Sequence, residues 1–131
     1  MDVQAAAQAY RSSSIETAPP IKIVRLLFEG ALRFLDRAAA EDPSDPQSEF
    51  LHFLHRTDAI VSELRLAIDH SAESEVTGNL EALYLFCETE IGRASIDRTS
   101  EPLAGVRDVL TTLLSAWRQV EIDMTRTADG A

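Results

Sequence analysis

The stretch TAPPIKIVRLLFEGALRFLDRAAA, residues 17–40, decides the fold of this chain. At 100° per residue its apolar side chains fall on one side of an α-helix and its charged side chains on the other. The apolar arc spans about 180°, whereas a surface helix typically shows a stripe of roughly 100°. The stretch therefore predicts a helix with more apolar surface than one neighbour can cover. The apolar positions are Ile21, Ile23, Val24, Leu27, Phe28, Ala31, Leu32, Phe34, Leu35 and Ala38.

Leu26 lies apart from this arc, about 140° from Ile21 on the helical wheel and among charged residues. An apolar side chain in that position indicates a second contact surface. The start of the helix is well defined, because Thr17 is a suitable N-cap and Pro19 and Pro20 suit a first turn whose N–H groups lack intrahelical partners.

Three further segments, residues 48–70, 76–95 and 102–124, repeat the helical spacing of apolar side chains. Short polar connections separate them, and no segment alternates with the period of two that a half-buried strand shows. Four amphipathic helices joined in this way predict an all-α fold, an antiparallel up-down-up-down four-helix bundle.

We expect the chain to divide into three parts: an N-terminal cap segment and linker at 1–16, the bundle at 17–125 and a frayed tail at 126–131. The cap segment could form two helical turns, which are marginal unless they dock. Tyr10, just before the linker, and Ile15, within it, are the large apolar side chains of this region. We therefore expect the segment to rest weakly and reversibly on the bundle through these two side chains.

Composition excludes several classes of function. The 131 residues fit one domain, and 22 acidic against 12 basic residues give a net charge of -10. Such a chain repels nucleic acid and anionic membranes at long range. The start lacks the charge and apolar pattern of a signal peptide, and no apolar run is long enough to span a bilayer. A lone Cys87 leaves no intrachain disulfide, so we expect a cytoplasmic protein without membrane insertion.

Candidate catalytic and metal sites are weak. Glu49, His52 and His55 include one Glu-x-x-His motif, but a di-metal bundle needs two such motifs and further inward glutamates. Cys87 has acidic neighbours and no adjacent base, which favours a buried structural thiol over a nucleophile. Tyr84 and Trp117 fit bundle core positions. We therefore predict no enzyme activity, no metal site and no cofactor.

Taken together, the sequence resembles the flagellin export chaperone family (FliS), the chaperone of the flagellar type III secretion system. The similarity runs in order and at compatible spacing over about residues 8 to 120, and jointly the pieces are fairly specific. The segments that carry it are Tyr10, TAPP at 17–20, IVRLLFEGA at 23–31, IVSEL at 60–64, NLEALY at 79–84 and AW at 116–117.

The resemblance implies a cytoplasmic chaperone that binds the disordered C-terminal segment of flagellin, one to one, and keeps it from polymerising before export. It also implies a component of the flagellar export gate as a partner, and it leaves a homodimer of the free protein open. We expect the guest to lay apolar residues into grooves between helices. The expected partner-binding residues are Tyr10, Ile15, Ile23, Leu26, Leu27, Gly30, Leu64, Leu66, Leu80, Leu83 and Tyr84.

An alternative remains open from the residues alone. A structural or regulatory helical bundle could use the same apolar surfaces to self-associate, with no flagellin partner. The two hypotheses differ in what they predict for a titration with flagellin.

Overall fold

The computed structural model describes residues 21–72 and 74–130, and within them the chain is helical with no strand. This confirms the predicted all-α fold. The helices, in chain order, are α1 (Ile21–Ala39), α2 (Phe50–Leu66), a short 3-10 helix (His70–Ala72), α3 (Glu75–Asp97) and α4 (Leu103–Gly130).

The helices form an antiparallel four-helix bundle, as predicted. Helix α1 packs against α2 and α4, and α3 packs against the same two helices. Arg25 near the start of α1 pairs with Glu121 late in α4, and Asp36 near the end of α1 pairs with Arg107 early in α4. Contacts between α1 and α2, between α2 and α3, and between α3 and the residues before α4 show that these neighbouring helices are antiparallel too. Short connections dictate this arrangement, because each helix must return beside the one before it.

The core lies between the four helices and is formed by large apolar side chains from each of them. Phe28 of α1 and Tyr84 of α3 meet across the bundle with ring centroids 6.3 Å apart. Fully burying a Phe or Leu side chain contributes about 1.5–3 kcal/mol, so these positions dominate stability. The largest fully buried side chains are Trp117, Tyr84, Phe28, Phe50, Leu35, Leu54, Leu64, Leu80, Ile91, Leu110 and Val24.

Helix α2 is shorter than the predicted segment 48–70. It begins at Phe50, because the Ser48 hydroxyl donates to the carbonyl of Asp42 at 2.7 Å and accepts from the N–H of Phe50 at 3.4 Å. It ends at Leu66, and the chain then turns into the 3-10 helix at His70. The ends of α2 are thus set by loop hydrogen bonds that the apolar pattern does not encode.

Helix α3 matches its predicted limits to within two residues. Ser74 caps its start by accepting a hydrogen bond from the N–H of Thr77 at 3.2 Å. Its end is set by Arg98, which has a left-handed backbone with a φ of 48°. A left-handed residue at this position stops the helix and satisfies its last carbonyls.

Helix α4 continues to Gly130, so the helix reaches into residues 126–130, where we expected a frayed tail. No proline or glycine stands between Trp117 and Asp129, and nothing in that stretch breaks the helix. Met124 continues the apolar spacing of Trp117 and Val120, but it is exposed, because it lies about level with Ile21 at the end of the described bundle.

The predictions for Thr17, Pro19, Pro20, Tyr10 and Ile15 concern residues outside the described part of the chain. None of the described helices combines the length and the apolar character needed to cross a bilayer.

Candidate partner-binding surface

A row of apolar side chains on α1 faces the edge of α2. Ile23 and Leu26 are each 47% exposed, and Leu27 is partly buried. Positions 23, 27, 30 and 34 fall on one side of α1, since their spacings of four and three residues follow the helical repeat. We use the name α1–α2 groove for the strip of surface along which these helices meet; its side chains are Ile23, Leu26, Leu27 and Phe34 of α1 and Phe53 and Ile60 of α2.

Gly30 lies at the bottom of this groove and is buried. A Cβ atom at this position would stand 3.5 Å from the Cδ1 atom of Ile60. The lack of a side chain at Gly30 therefore lets α2 pack closely against α1. Gly30 was expected among the partner-binding residues; in this conformation Ile60 occupies the space above it, which favours close helix packing over the approach of a guest backbone.

Three of the expected contact residues lie in the core. Leu64, Leu80 and Tyr84 have no exposed surface, so a guest cannot touch them without repacking the bundle. Each occupies the row of its helix that points at the bundle axis, together with neighbours three and four residues away. We therefore remove these three residues from the candidate surface.

Leu66 remains available, at the edge between α2 and α3. It is 73% exposed, and Leu85 of α3 is also exposed. The ion pair between Arg65 and Glu88 fixes the relative height of the two helices and places Leu66 and Leu85 at about the same level. The sequence pattern did not single out Leu85 as a contact residue; its only signal is an apolar residue off the buried row.

Leu83 lies in a separate depression that we call the α3–α4 groove. This cavity of about 230 Å³ is almost wholly apolar. At its neighbouring turn Phe86 covers Gly105, whose Cβ position would be 3.5 Å from the ring. The groove is formed by Leu83, Phe86, Asp108, Val109, Thr112 and Leu113.

The opposite side of α1 is polar. Arg25 contacts Glu121 at 2.5 Å and Glu29 at 2.7 Å, and Glu29 also pairs with Arg118 at 3.2 Å. A depression of about 630 Å³ at this end includes exposed Ile122 among charged side chains. Charged side chains therefore border the depression on the α1–α4 side.

Two stacked rings, each with a guanidinium group near it, cross the α1–α2 groove. Phe34 and Phe53 are stacked with centroids 6.2 Å apart. The Cζ atom of Arg37 lies 5.7 Å from the centroid of Phe53, and that of Arg56 lies 5.2 Å from the centroid of Phe34. Sequence reasoning assigned both rings to apolar faces and missed the arginines, although Arg33 and Arg37 flank Phe34 within one turn.

No metal or nucleophile site emerges from the described residues. No three His, Cys, Asp or Glu side chains among them lie close enough to hold a metal ion. His52 packs edge-on against Phe53 with ring centroids 5.2 Å apart. Cys87 is fully buried, and burial together with the charge of Glu88 raises the pKa of its thiol to about 12.

Comparison with known proteins connects this chain to a family. The family model of the flagellar protein FliS matches residues 3–124. The flagellar secretion chaperone FliS of Campylobacter jejuni is 30% identical over 117 residues, which cover 89% of this chain and 91% of that protein. The FliS chaperones of Bacillus subtilis and Escherichia coli are each 26% identical. The match covers 91% of this chain and 88% of the Bacillus subtilis protein. For the Escherichia coli protein it covers 88% of this chain and 86% of that protein.

Proposed function

The chain belongs to the FliS family of flagellar proteins, and on that premise we propose that it is a cytoplasmic chaperone for the disordered C-terminal segment of flagellin. Binding would keep flagellin from polymerising before it passes through the flagellar export gate, one component of which is then a second partner. The role is one of binding, without catalysis.

The observation that carries this proposal is the apolar surface left outside a closed core. Ile23, Leu26, Leu66 and Leu85 remain exposed, and Leu83 lines an open apolar groove. Natural monomers expose scattered apolar side chains, but contiguous apolar grooves mark binding sites. An unstructured guest with spaced apolar residues fits such grooves.

The distribution of these residues favours an extended guest. The α1–α2 groove, the edge at Leu66 and the α3–α4 groove lie on different sides of the bundle. A single straight helix reaches one groove, whereas a disordered tail can pass from one to the next. Ordering such a tail costs about 2–5 kcal/mol, which a large contact area must offset.

We propose further that Tyr10 and Ile15 cover the empty groove and are displaced by the guest. This part rests on the sequence alone, because both residues lie outside the described part of the chain. Deleting residues 1–16 is then expected to raise the affinity for flagellin, since the guest no longer competes with the cover. Weaker or unchanged binding would contradict the cover.

The decisive experiment is a calorimetric titration with the C-terminal segment of flagellin from the same organism. We expect saturable one-to-one binding, which Leu26→Asp removes while the far-ultraviolet circular dichroism stays unchanged. Ile96→Asp is the matched control, because it places the same charge at an exposed position outside the proposed contacts. Absence of binding by the wild type would refute the proposal.

The alternative function is self-association of a structural or regulatory bundle through the same surfaces. It predicts a tight homo-oligomer by sedimentation and no response to flagellin. A weak homodimer of the free protein that dissociates when flagellin binds fits the chaperone instead, because guest and second copy then compete for one surface.

A further inference from the structure

The α1–α2 groove has two chemically different ends. Ile23, Leu26 and Leu27 form its apolar end, near the start of α1. Arg37 and Arg56 lie at the other end, with their guanidinium groups over Phe53 and Phe34. The groove is therefore polarised along its length, from apolar to cationic.

Arg33 joins the cationic end. Its Nη2 atom lies 3.7 Å from the Cβ position of Gly30, which faces α2 across the groove. We call Arg33, Arg37 and Arg56 the cationic cluster. All three residues are exposed, and within the described residues none has a carboxylate oxygen within 4 Å.

The cluster contrasts with five other arginines of the bundle, while Arg98 and Arg126, which also have no carboxylate oxygen within 4 Å among the described residues, stand singly. The chain has 22 acidic residues against 12 basic ones, so a carboxylate partner is easy to find. Three neighbouring cations without one are therefore unusual for this surface. The arginines that do pair with carboxylates are Arg25, Arg65, Arg93, Arg107 and Arg118.

Stacking leaves the cluster ready to bind an anion. A guanidinium group held near an aromatic ring by cation–π attraction still presents N–H donors along its edge. Those donors match the two oxygens of a carboxylate. Arg37 and Arg56 thus keep their hydrogen-bonding edges free while Phe53 and Phe34 hold them in place.

We propose that the cationic cluster recognises carboxylates of the guest, and that the guest segment in this groove is apolar at one end and acidic at the other. The inference rests on the proposed function and specifies the chemistry of the partner. Arg33 is seven residues from Leu26, or about 10 Å along α1. Arg37 is eleven residues from Leu26, or about 16 Å, so the carboxylates stand about seven to eleven residues from the apolar anchor in a helical guest, and about three to five in an extended one.

Glu63 favours one direction for such a guest. It stands three residues from Ile60 on α2 and is exposed near the level of Leu26, at the apolar end. A carboxylate of the guest at that end would be repelled, and one at the cationic cluster attracted. The apolar part of the guest therefore lies beside Leu26 and its acidic part beside Arg37.

A peptide suits this groove better than a nucleic acid. The net charge of -10 repels a long polyanion, and three cations in one patch do not cancel that field. A short segment with a few carboxylates and several apolar side chains meets less repulsion and also fills the apolar end.

The test is a titration of the full chain with the C-terminal segment of flagellin from the same organism, at low and at high salt. The double variant Arg37→Gln/Arg56→Gln is expected to bind on the order of ten-fold more weakly at low salt and to lose most of its salt dependence. Arg118→Gln on α4 is the matched control, since it removes one exposed cation outside the groove. Arg37→Lys/Arg56→Lys is expected to recover part of the affinity.

The guest side gives an independent readout. A flagellin peptide with Asp and Glu replaced by Asn and Gln is expected to bind the wild type about as weakly as the natural peptide binds the double variant. Unchanged affinity in the double variant, with the wild type binding normally, overturns the cluster proposal and leaves the proposed function standing. No binding by the wild type overturns both. A single-stranded oligonucleotide that binds through the same arginines would overturn the assignment to a peptide.

Discussion

Glu88 on α3 accepts a hydrogen bond from the Nε atom of Arg65 on α2 at 2.6 Å. Ser62 of α2 donates to the same carboxylate. Burial acts to raise the pKa of Glu88, but the hydrogen bonds and charge of Arg65 and the Ser62 hydroxyl outweigh it, and the pKa lies below its ordinary value of 4.5. The contact between α2 and α3 therefore depends on an ionised carboxylate.

Replacing Glu88 with Gln is expected to lower the free energy of unfolding by about 1 kcal/mol at pH 7, a modest loss because solvent screens the pair. A lowered pKa in the folded state contributes stability above the unfolded value and loses it as pH falls through the folded pKa. The difference between wild type and variant should therefore begin to shrink near pH 4.5 and vanish once the pH is below the lowered pKa of the folded state. Urea unfolding at a series of pH values measures this difference. Glu101→Gln, which removes an exposed ion pair with Arg93, is the control.

The pKa of Asp58 shifts in the opposite direction to that of Glu88. Burial, and then the negative charge of Glu88, raise the pKa of Asp58 above its ordinary value. Ionised Asp58 therefore costs stability at pH 7, and this cost disappears as pH falls through the raised pKa. We expect Asp58→Asn to stabilise the fold by about 0.5 kcal/mol at pH 7 and to lose this advantage in acid. In the background of Glu88→Gln the gain should shrink, because one source of repulsion is gone.

Gly30→Ala tests the packing role assigned to this glycine. The added methyl group would meet Ile60 at 3.5 Å, an ordinary contact, and alanine favours the helix. We expect a gain of about 0.5–1 kcal/mol in the free energy of unfolding. Affinity for flagellin should not change, because Gly30 is buried. Gly30→Val is the contrasting variant, since its larger side chain must displace Ile60. Loss of binding in a stable Gly30→Ala protein would return Gly30 to the guest surface.

The fold was predictable because it follows from local periodicity. The candidate site was less predictable, as Leu64, Leu80 and Tyr84 illustrate. Helical spacing placed all three on the buried rows of their helices, and the structure agrees. Their assignment to a binding surface came from the family resemblance, which identifies segments and does not tell which side of a helix is exposed. For these three residues the helical wheel alone was the better guide.

The cationic cluster depends on the register between two helices. Arg37 meets Phe53, and Arg56 meets Phe34, only because α1 and α2 pack at one particular height. Sequence spacing gives the rows along each helix, but it does not give the offset between rows on different helices. That offset depends on loop hydrogen bonds such as the one from Ser48 to Asp42, and these appear only in the structure.

Cys87 provides a final test of the core. It lies fully buried, with a pKa raised to about 12 by burial first and by the charge of Glu88 second. Only the thiolate reacts with alkylating reagents, and only from an accessible position. At pH 8 we therefore expect iodoacetamide to modify the folded chain at least about 100-fold more slowly than the chain in urea, at a rate set by unfolding.

Two substitutions test the burial of Cys87 by stability, independently of its reactivity. Cys87→Ser places a hydroxyl in the same apolar site and is expected to cost about 1–3 kcal/mol, whereas Cys87→Ala loses only packing. Rapid alkylation of the native protein would mean that α3 exposes its inner row. Leu80 and Tyr84, which share that row with Cys87, would then return to the candidate surface.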